Sequence, residues 1–328
     1  MHYRTSLRTT WRPRCHQAVR NFTDPDDYGA AIRATTAKLT ITGRGHFAAK
    51  LVRIDLHSLW MQRFSDNLPR ILHSAGGSER TFITFRTQPG PSLLWRGVEL
   101  RPTSITRHGE GQSSFQHSSG FACFGAMSLP VEEMASVGAA VGGCDLTPAR
   151  DVVFVTAPPA AMAKLQRLHA AAGQLAEDAP AVIAHPEAAR SLEQALIEAM
   201  VACLDEGKAC EDRSAQRQHA LIMRRFHRAA EDSPDEPLYI PQLCAALGVS
   251  QGTLRACCQE QLGISPTRYL LLRRLHLARR VLRESAPTAT TVTEIATRYG
   301  FWQFGRFAGQ YRSLFGELPS ATLGHPRE

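Results

Sequence analysis

The sequence predicts an α+β protein: a β-rich N-terminal sandwich or barrel with two following helices, then an all-α C-terminal region of two helix-turn-helix units joined by a long helix. Three observations carry this. Apolar residues alternate with a period of two between about Lys38 and Ala157, and the period lengthens to three or four after Pro158-Pro159. A helix–turn–helix pattern then occurs twice in the last hundred residues. With 328 residues, 43% of them hydrophobic, the chain is long enough to bury more than one core.

Residues 1–27 are polar, basic and broken by Pro13 and Pro25, which predicts a flexible leader. In the next segment, 28–206, Val52, Ile54, Leu56 and Trp60 alternate with Arg53, Asp55 and His57. Thr81–Phe85, Leu93–Trp95, Phe121–Phe124 and Asp151–Val155 follow as short strands between Gly, Pro and Ser turns. Met162, Leu165, Leu168 and Ala172 then mark one helix. Leu192, Leu196, Met200 and Leu204 mark another from about Pro186, whose stripe suits either a cap on the β domain or a dimer contact. The polar stretch 207–218 reads as a linker, and 219–328 as a separate helical domain.

Within that domain the two copies agree in spacing. Leu254 and Cys258 stand four apart, Cys258 and Gly263 five, Gly263 and Pro266 three; Phe307, Tyr311, Gly316 and Pro319 repeat the series. Each copy begins with a short helix ending at a glycine, Gly248 or Gly300, and Thr291-x-x-Glu294 adds a capping box. Helix, glycine turn, helix is the form that places a recognition helix in a DNA major groove. The predicted helix between the copies, about Ser265 to Glu284, would span roughly 30 Å, near the roughly 34 Å between successive major-groove faces.

Charge agrees with a phosphate-bearing partner. The chain carries a net charge of +8, and Ser250–Arg283 holds seven Arg (255, 268, 273, 274, 279, 280 and 283) against Glu260. If the linking-helix arginines reach phosphates, about four to seven contacts give a log K against log salt slope of about −4 to −6. With the core positions removed, the outward faces offer Gln251, Arg255 and Gln259 on the first recognition helix. On the second they offer Gln303, Phe304, Arg306 and Gln310, while Arg273 and Arg274 come from the linking helix. Arg pairs with guanine, Gln with adenine, and Phe touches a thymine methyl.

The pieces Leu247-Gly-Val-Ser250, Leu262-Gly-Ile-Ser-Pro266, Ile295-Ala296, Tyr299-Gly-Phe301 and Phe307-x3-Tyr311-x3-Phe315-Gly316-x2-Pro319 resemble the AraC/XylS family of bacterial transcription regulators over about residues 219–324. The run Gly300–Ala308 also resembles the branch containing ethanolamine-utilisation regulators. Two departures stand out: Cys258 replaces the aromatic usual at its core position, and Gly252 a side chain that often points at bases. The resemblance implies a cupin-like N-terminal domain for a small-molecule effector or assembly. It also implies an activator of transcription in the cytoplasm, with double-stranded DNA, RNA polymerase and a second copy of the chain as partners.

No enzyme, cofactor or metal is expected. The chain lacks GxSxG, HExxH and a phosphate loop. His46, His57, His73, His108 and His117 form no His-x-His pair of the metal-binding cupin kind. The eight cysteines show no CxxC spacing and read as reduced, buried thiols. No apolar run approaches the roughly 20 residues of a membrane span, so no membrane partner is expected. The alternative is a metal-independent cupin-type enzyme or ligand carrier fused to a DNA-binding tail.

Overall fold

The computed structural model describes residues 16–324 except 34, 78, 109–112, 144, 148–151, 210–213 and 234–235. Its N-terminal half is built on strands β1 (His16–Phe22), β2 (Thr35–Ile41), β3 (Ala49–Asp55), β4 (Trp60–Asp66), β5 (Arg70–Gly76), β6 (Arg80–Arg86), β7 (Leu93–Trp95), β8 (Val98–Glu99), β9 (Ser104–Arg107), β10 (Ser113–Ser118), β11 (Ala122–Pro130), β12 (Val153–Thr156) and β13 (Lys208–Ala209). They form two antiparallel sheets, one ordered β1-β3-β4-β11-β6-β9-β12-β13 and the other β2-β5-β10-β7-β8. The expected β-rich sandwich is present.

The period-two reading at Val52–Trp60 spans a hairpin rather than one strand. β3 and β4 pair antiparallel with Asp55 opposite Trp60. Alternation alone misses why Leu51 and Val52 are both apolar and buried. Leu51 faces the space between the sheets with Phe64, Trp95 and Phe124. Val52 faces the other side with Met61, Ile83 and Phe85, under helices α3 (Pro159–Asp178) and α5 (Pro186–Asp205). A sheet covered on both faces loses its polar alternation.

Two boundaries need correction. The expected leader does not extend to residue 27, because β1 pairs with β3 along its whole length and α1 (Pro25–Ala31) follows it. Pro25 is the first helical residue, a position where a missing N–H costs nothing, and Asp24 caps it by accepting from the N–H groups of Asp26 and Asp27. The rest of the leader, residues 1–15, lies outside the described residues. The boundary expected at 219 falls inside one helix, α6 (Ser214–Asp232), whose Ile222, Met223 and Phe226 join the first helix-turn-helix core. The α5 stripe is consumed internally: Leu196 and Met200 are buried in the sheet–helix core, with Leu192 and Leu204 packed against it. It therefore caps the β domain, and a dimer contact would need another face.

The remaining helices are α2 (Val131–Val137, running into a π-helical turn), α4 (Pro180–Ala184), α7 (Ile240–Leu247), α8 (Gln251–Leu262), α9 (Pro266–Glu284), α10 (Val292–Arg298), α11 (Phe304–Phe315) and α12 (Pro319–Gly324). Among the described residues no helix is long and apolar enough to cross a membrane. The first helix-turn-helix unit is docked on the outer face of the five-stranded sheet, where Ile71 and Phe115 share a core with Met223, Leu254, Cys258 and Tyr269. The second has its own core of Leu275, Ile295, Phe307 and Tyr311.

Candidate nucleic-acid interface

The repeat is built as its spacing predicts. Gly263 and Gly316 end α8 and α11 in the left-handed region, with φ of 67° and 81°, which a side chain would strain. The Thr291–Glu294 capping box is formed at the start of α10, with both reciprocal bonds in place. Leu254 and Phe307 each occupy the fourth position of their recognition helices and face inward, as do Cys258 and Tyr311. Cys258 meets Met223 through sulfur, whereas Tyr311 reaches the Thr322 hydroxyl at 2.8 Å. The lighter residue of the first unit is matched by a helix from outside the repeat.

The units differ where each recognition helix begins. Ser250 caps α8 by accepting from the Thr253 N–H at 3.0 Å. The turn into α11 is one residue longer, and Gln303 provides no side-chain cap. The extra residue leaves Trp302 78% exposed beside the exposed Phe304. Two large aromatic side chains in water at one helix start form an unusual surface feature. Composition gave no hint of Trp302; aligning the two copies residue by residue would have shown it standing in the insertion.

Of the residues expected to meet DNA, Gln251, Arg255, Gln259, Gln303, Phe304 and Arg306 are exposed and Gln310 is half-buried. Gln259 also donates to the Gly263 carbonyl at 3.2 Å. Arg273 and Arg274 are half-buried and already bonded within the chain. Arg273 donates to the carbonyl oxygens of Ala230 and, at 2.7 Å, Ser233, closing the C-terminal end of α6. Arg274 lies 5.0 Å over the Phe301 ring and donates to the Gly300 carbonyl. Burial lowers its guanidinium from the usual range. These two side chains fasten the linking helix to the elements on either side of it, because carbonyls at helix ends attract cations.

The rest of the basic face of α9 is also occupied. Arg279 and Arg283 bind Asp24, the first at 2.8 Å, and Arg280 binds Asp26 at 2.9 Å. His276, on the same helix, reaches the Ile41 carbonyl at 3.2 Å. Of the six arginines on α9, Arg268 is the one that is exposed.

Comparison with known proteins agrees with this geometry. A helix-turn-helix domain family matches residues 243–325. A probable thc operon regulatory protein of Rhodococcus erythropolis is 41% identical over 93 residues, 28% of this chain and 28% of that protein. XylDLEGF operon transcriptional activator 2 of Pseudomonas putida is 36% identical over 93 residues, 28% of this chain and 59% of that protein. The chain thus spans less than two thirds of the length of these relatives. The solved structure of a probable AraC family transcriptional regulator from Rhodopseudomonas palustris is 34% identical, covering 32% of this chain and 99% of that one, with a TM-score of 0.30. Residues 243–325 form a helix-turn-helix domain of the AraC/XylS type. The family match takes in most of α7 and all of α8 to α12, and the sandwich lies outside it.

The sandwich contains a narrow cavity of about 60 Å³ between its sheets, lined by Phe64, Trp95, Phe124, Thr84 and His108, with Arg33 among the further lining residues. Thr84, Thr106 and His108 form one buried polar cluster, with His108 Nε2 3.0 Å from the Thr106 hydroxyl. Burial, and then the charge of Arg96, pushes His108 down to about 3, so the ring is neutral. Arg33 is held by Asp55 and stacks on Trp60. The cavity wall is therefore mainly apolar and presents neutral hydrogen-bonding groups.

Proposed function

We propose that the protein is a sequence-specific DNA-binding transcription regulator of the activating kind, which reads two successive major-groove segments with α8 and α11. The observation that carries this is the division of each recognition helix: one face closes a core, while the other leaves Gln251, Arg255 and Gln259, or Gln303, Phe304 and Arg306, in solvent. Base edges are read by such uncommitted side chains. Trp302 joins the second set. In register, Arg306 corresponds to Thr253 and Arg255 to Ala308, so the two helices would read different bases.

In this reading the sandwich is the effector and assembly unit, and its cavity takes a small, neutral, largely apolar molecule. Residues 16–209 form that unit and 214–324 the reading unit. RNA polymerase and a second copy of the chain are the further partners, and the cytoplasm is the site of action.

Selection of bound fragments from genomic DNA, followed by footprinting, tests the proposal. The expected footprint covers two half-sites about one helical turn apart. Arg255→Ala should relax base preference in one half-site and Arg306→Ala in the other. A footprint confined to one half-site, or loss of preference in the same one for both variants, would rule out the two-headed reading.

A further inference from the structure

The docking of the first helix-turn-helix unit on the sandwich brings together groups whose packing does not explain them. His73 stands on β5, in the sheet face that α6 covers. His227 and Glu231 stand on α6, one turn apart. The two imidazole rings are buried, with centroids 3.3 Å apart and planes tilted by 31°. His227 Nε2 is 3.1 Å from a Glu231 carboxylate oxygen. Apart from that carboxylate, His73 Nε2 and both ring nitrogens of His227 have no hydrogen-bond partner. Buried imidazole nitrogens without partners are costly, since each forfeits its hydration without replacement.

We propose that His73, His227 and Glu231 form a binding site for a divalent transition-metal ion of the zinc class, spanning the contact between the sandwich and the first helix-turn-helix unit. One donor atom from each residue lies within 4.8 Å of the other two. A tetrahedral ion at about 2.0–2.2 Å holds its donors roughly 3.3–3.6 Å apart, so small side-chain rotations complete the set. Two neutral imidazoles and one carboxylate suit zinc, cobalt or nickel and are a poor match for calcium or magnesium, which take oxygen donors. A neutral imidazole keeps one ring-nitrogen lone pair free to bind a metal ion. The fourth position is left to water.

Lys38 on β2 completes the arrangement. Its ammonium lies 3.0 Å from Glu231 and is half exposed. It neutralises the carboxylate when no ion is bound and competes with one that arrives, and its exposed stem lets it swing away. Because the ligands come from β5 and α6, a bound ion ties the two units together. No spacing along the chain signals this site: His73 and His227 are 154 positions apart, and only the fold brings them together.

Cobalt(II) titration of the full chain, followed by visible absorption, and equilibrium dialysis against zinc test the site. One ion per chain is expected, with a spectrum of nitrogen and oxygen ligation. His73→Asn, His227→Asn and Glu231→Gln should each weaken binding at least about tenfold, and Lys38→Met should tighten it. Zinc should raise the melting temperature of the full chain but not that of the His73→Asn/His227→Asn variant. Glu231→Gln changes an exposed group, so its effect on affinity can be read even if a buried histidine variant folds poorly. Absence of binding at tens of micromolar free zinc, affinity unaltered by Glu231→Gln, or a thiolate band in the cobalt spectrum would overturn the assignment. None of these readouts requires DNA, so they are separate from any test of DNA reading.

Discussion

Asp24 accepts a hydrogen bond from Arg279 at 2.8 Å across 255 positions of sequence, and a second from Arg283 one turn further along α9. The same carboxylate group caps α1 through its other oxygen. One buried acidic side chain therefore ends a local structure and joins the first helix of the sandwich to the helix between the two reading units. Arg280 with Asp26 adds a parallel, more exposed pair. Three of the six arginines of α9 are thereby directed at the protein's own N-terminal unit.

Asp24→Asn separates these roles, because Asn caps a helix as well as Asp but carries no charge. The loss should reduce the free energy of unfolding by about 1–3 kcal/mol, the range for hydrogen bonds to charged partners. In a double-mutant cycle with Arg283→Gln most of that cost should appear as coupling. A coupling near zero in urea unfolding would mean that the pair holds nothing together.

Arg306 and Arg273 should behave in opposite ways, although both are basic residues of one basic domain. Arg306 is exposed on α11, so Arg306→Ala should leave the melting temperature unchanged and cost about 1–3 kcal/mol of binding at one base position. Arg273→Ala removes the donor that satisfies the Ala230 and Ser233 carbonyls, and should destabilise the fold by about 1–3 kcal/mol without altering base preference. Thermal melts alongside binding to a base-substituted site series distinguish them. A shift in base preference for Arg273→Ala would return that residue to the DNA interface.

The contrast between these residues marks what the sequence could tell. The repeat was legible because its determinants are local: left-handed glycines, a capping box and inward residues four apart are set by neighbours along the chain. Exposure on the recognition helices follows from the same periodicity. The fate of the α9 arginines was not legible, because Asp24 and Asp26 lie more than 250 positions away in a stretch that read as loose leader. β1 was missed for a related reason: His16–Phe22 is an edge strand, mostly exposed, and lacks the apolar alternation that marks half-buried strands.

Acid should destabilise the protein well above the usual carboxylate range. Burial, followed by Arg96 and Arg63 respectively, pushes His108 and His169 down to about 3, and burial pushes His276 to about 4 despite its bond to the Ile41 carbonyl. In the unfolded chain all three titrate near 6.5. Below that pH the unfolded state binds protons that the folded state refuses, so stability falls as pH falls. At pH 5 the loss is about 2 kcal/mol for each histidine, about 6 kcal/mol in sum. Urea midpoints should therefore drop between pH 7 and pH 5, and His276→Gln should remove about 2 kcal/mol of the drop. A flat profile over that interval would mean that the buried rings accept protons in place.

The salt dependence of DNA binding should be shallower than the composition suggests. Counting every arginine of the linking helix gives a slope of about −4 to −6. In the folded chain Arg273 and Arg274 bind main-chain carbonyls, while Arg279, Arg280 and Arg283 bind Asp24 and Asp26. The exposed arginines of this region are Arg255, Arg268, Arg298, Arg306 and Arg312, and some of these are needed for base edges. About three or four phosphate contacts then remain, at about −0.9 each, for a slope of about −3 to −4. Arg279→Gln or Arg280→Gln should leave that slope unchanged within about 0.5, because neither side chain releases counterions on binding. Filter binding of the full chain to its selected site across a salt series reads the slope directly. A loss of about 0.9 in either variant would place that arginine on a phosphate, and the contact between α9 and the sandwich would then have to open when DNA binds.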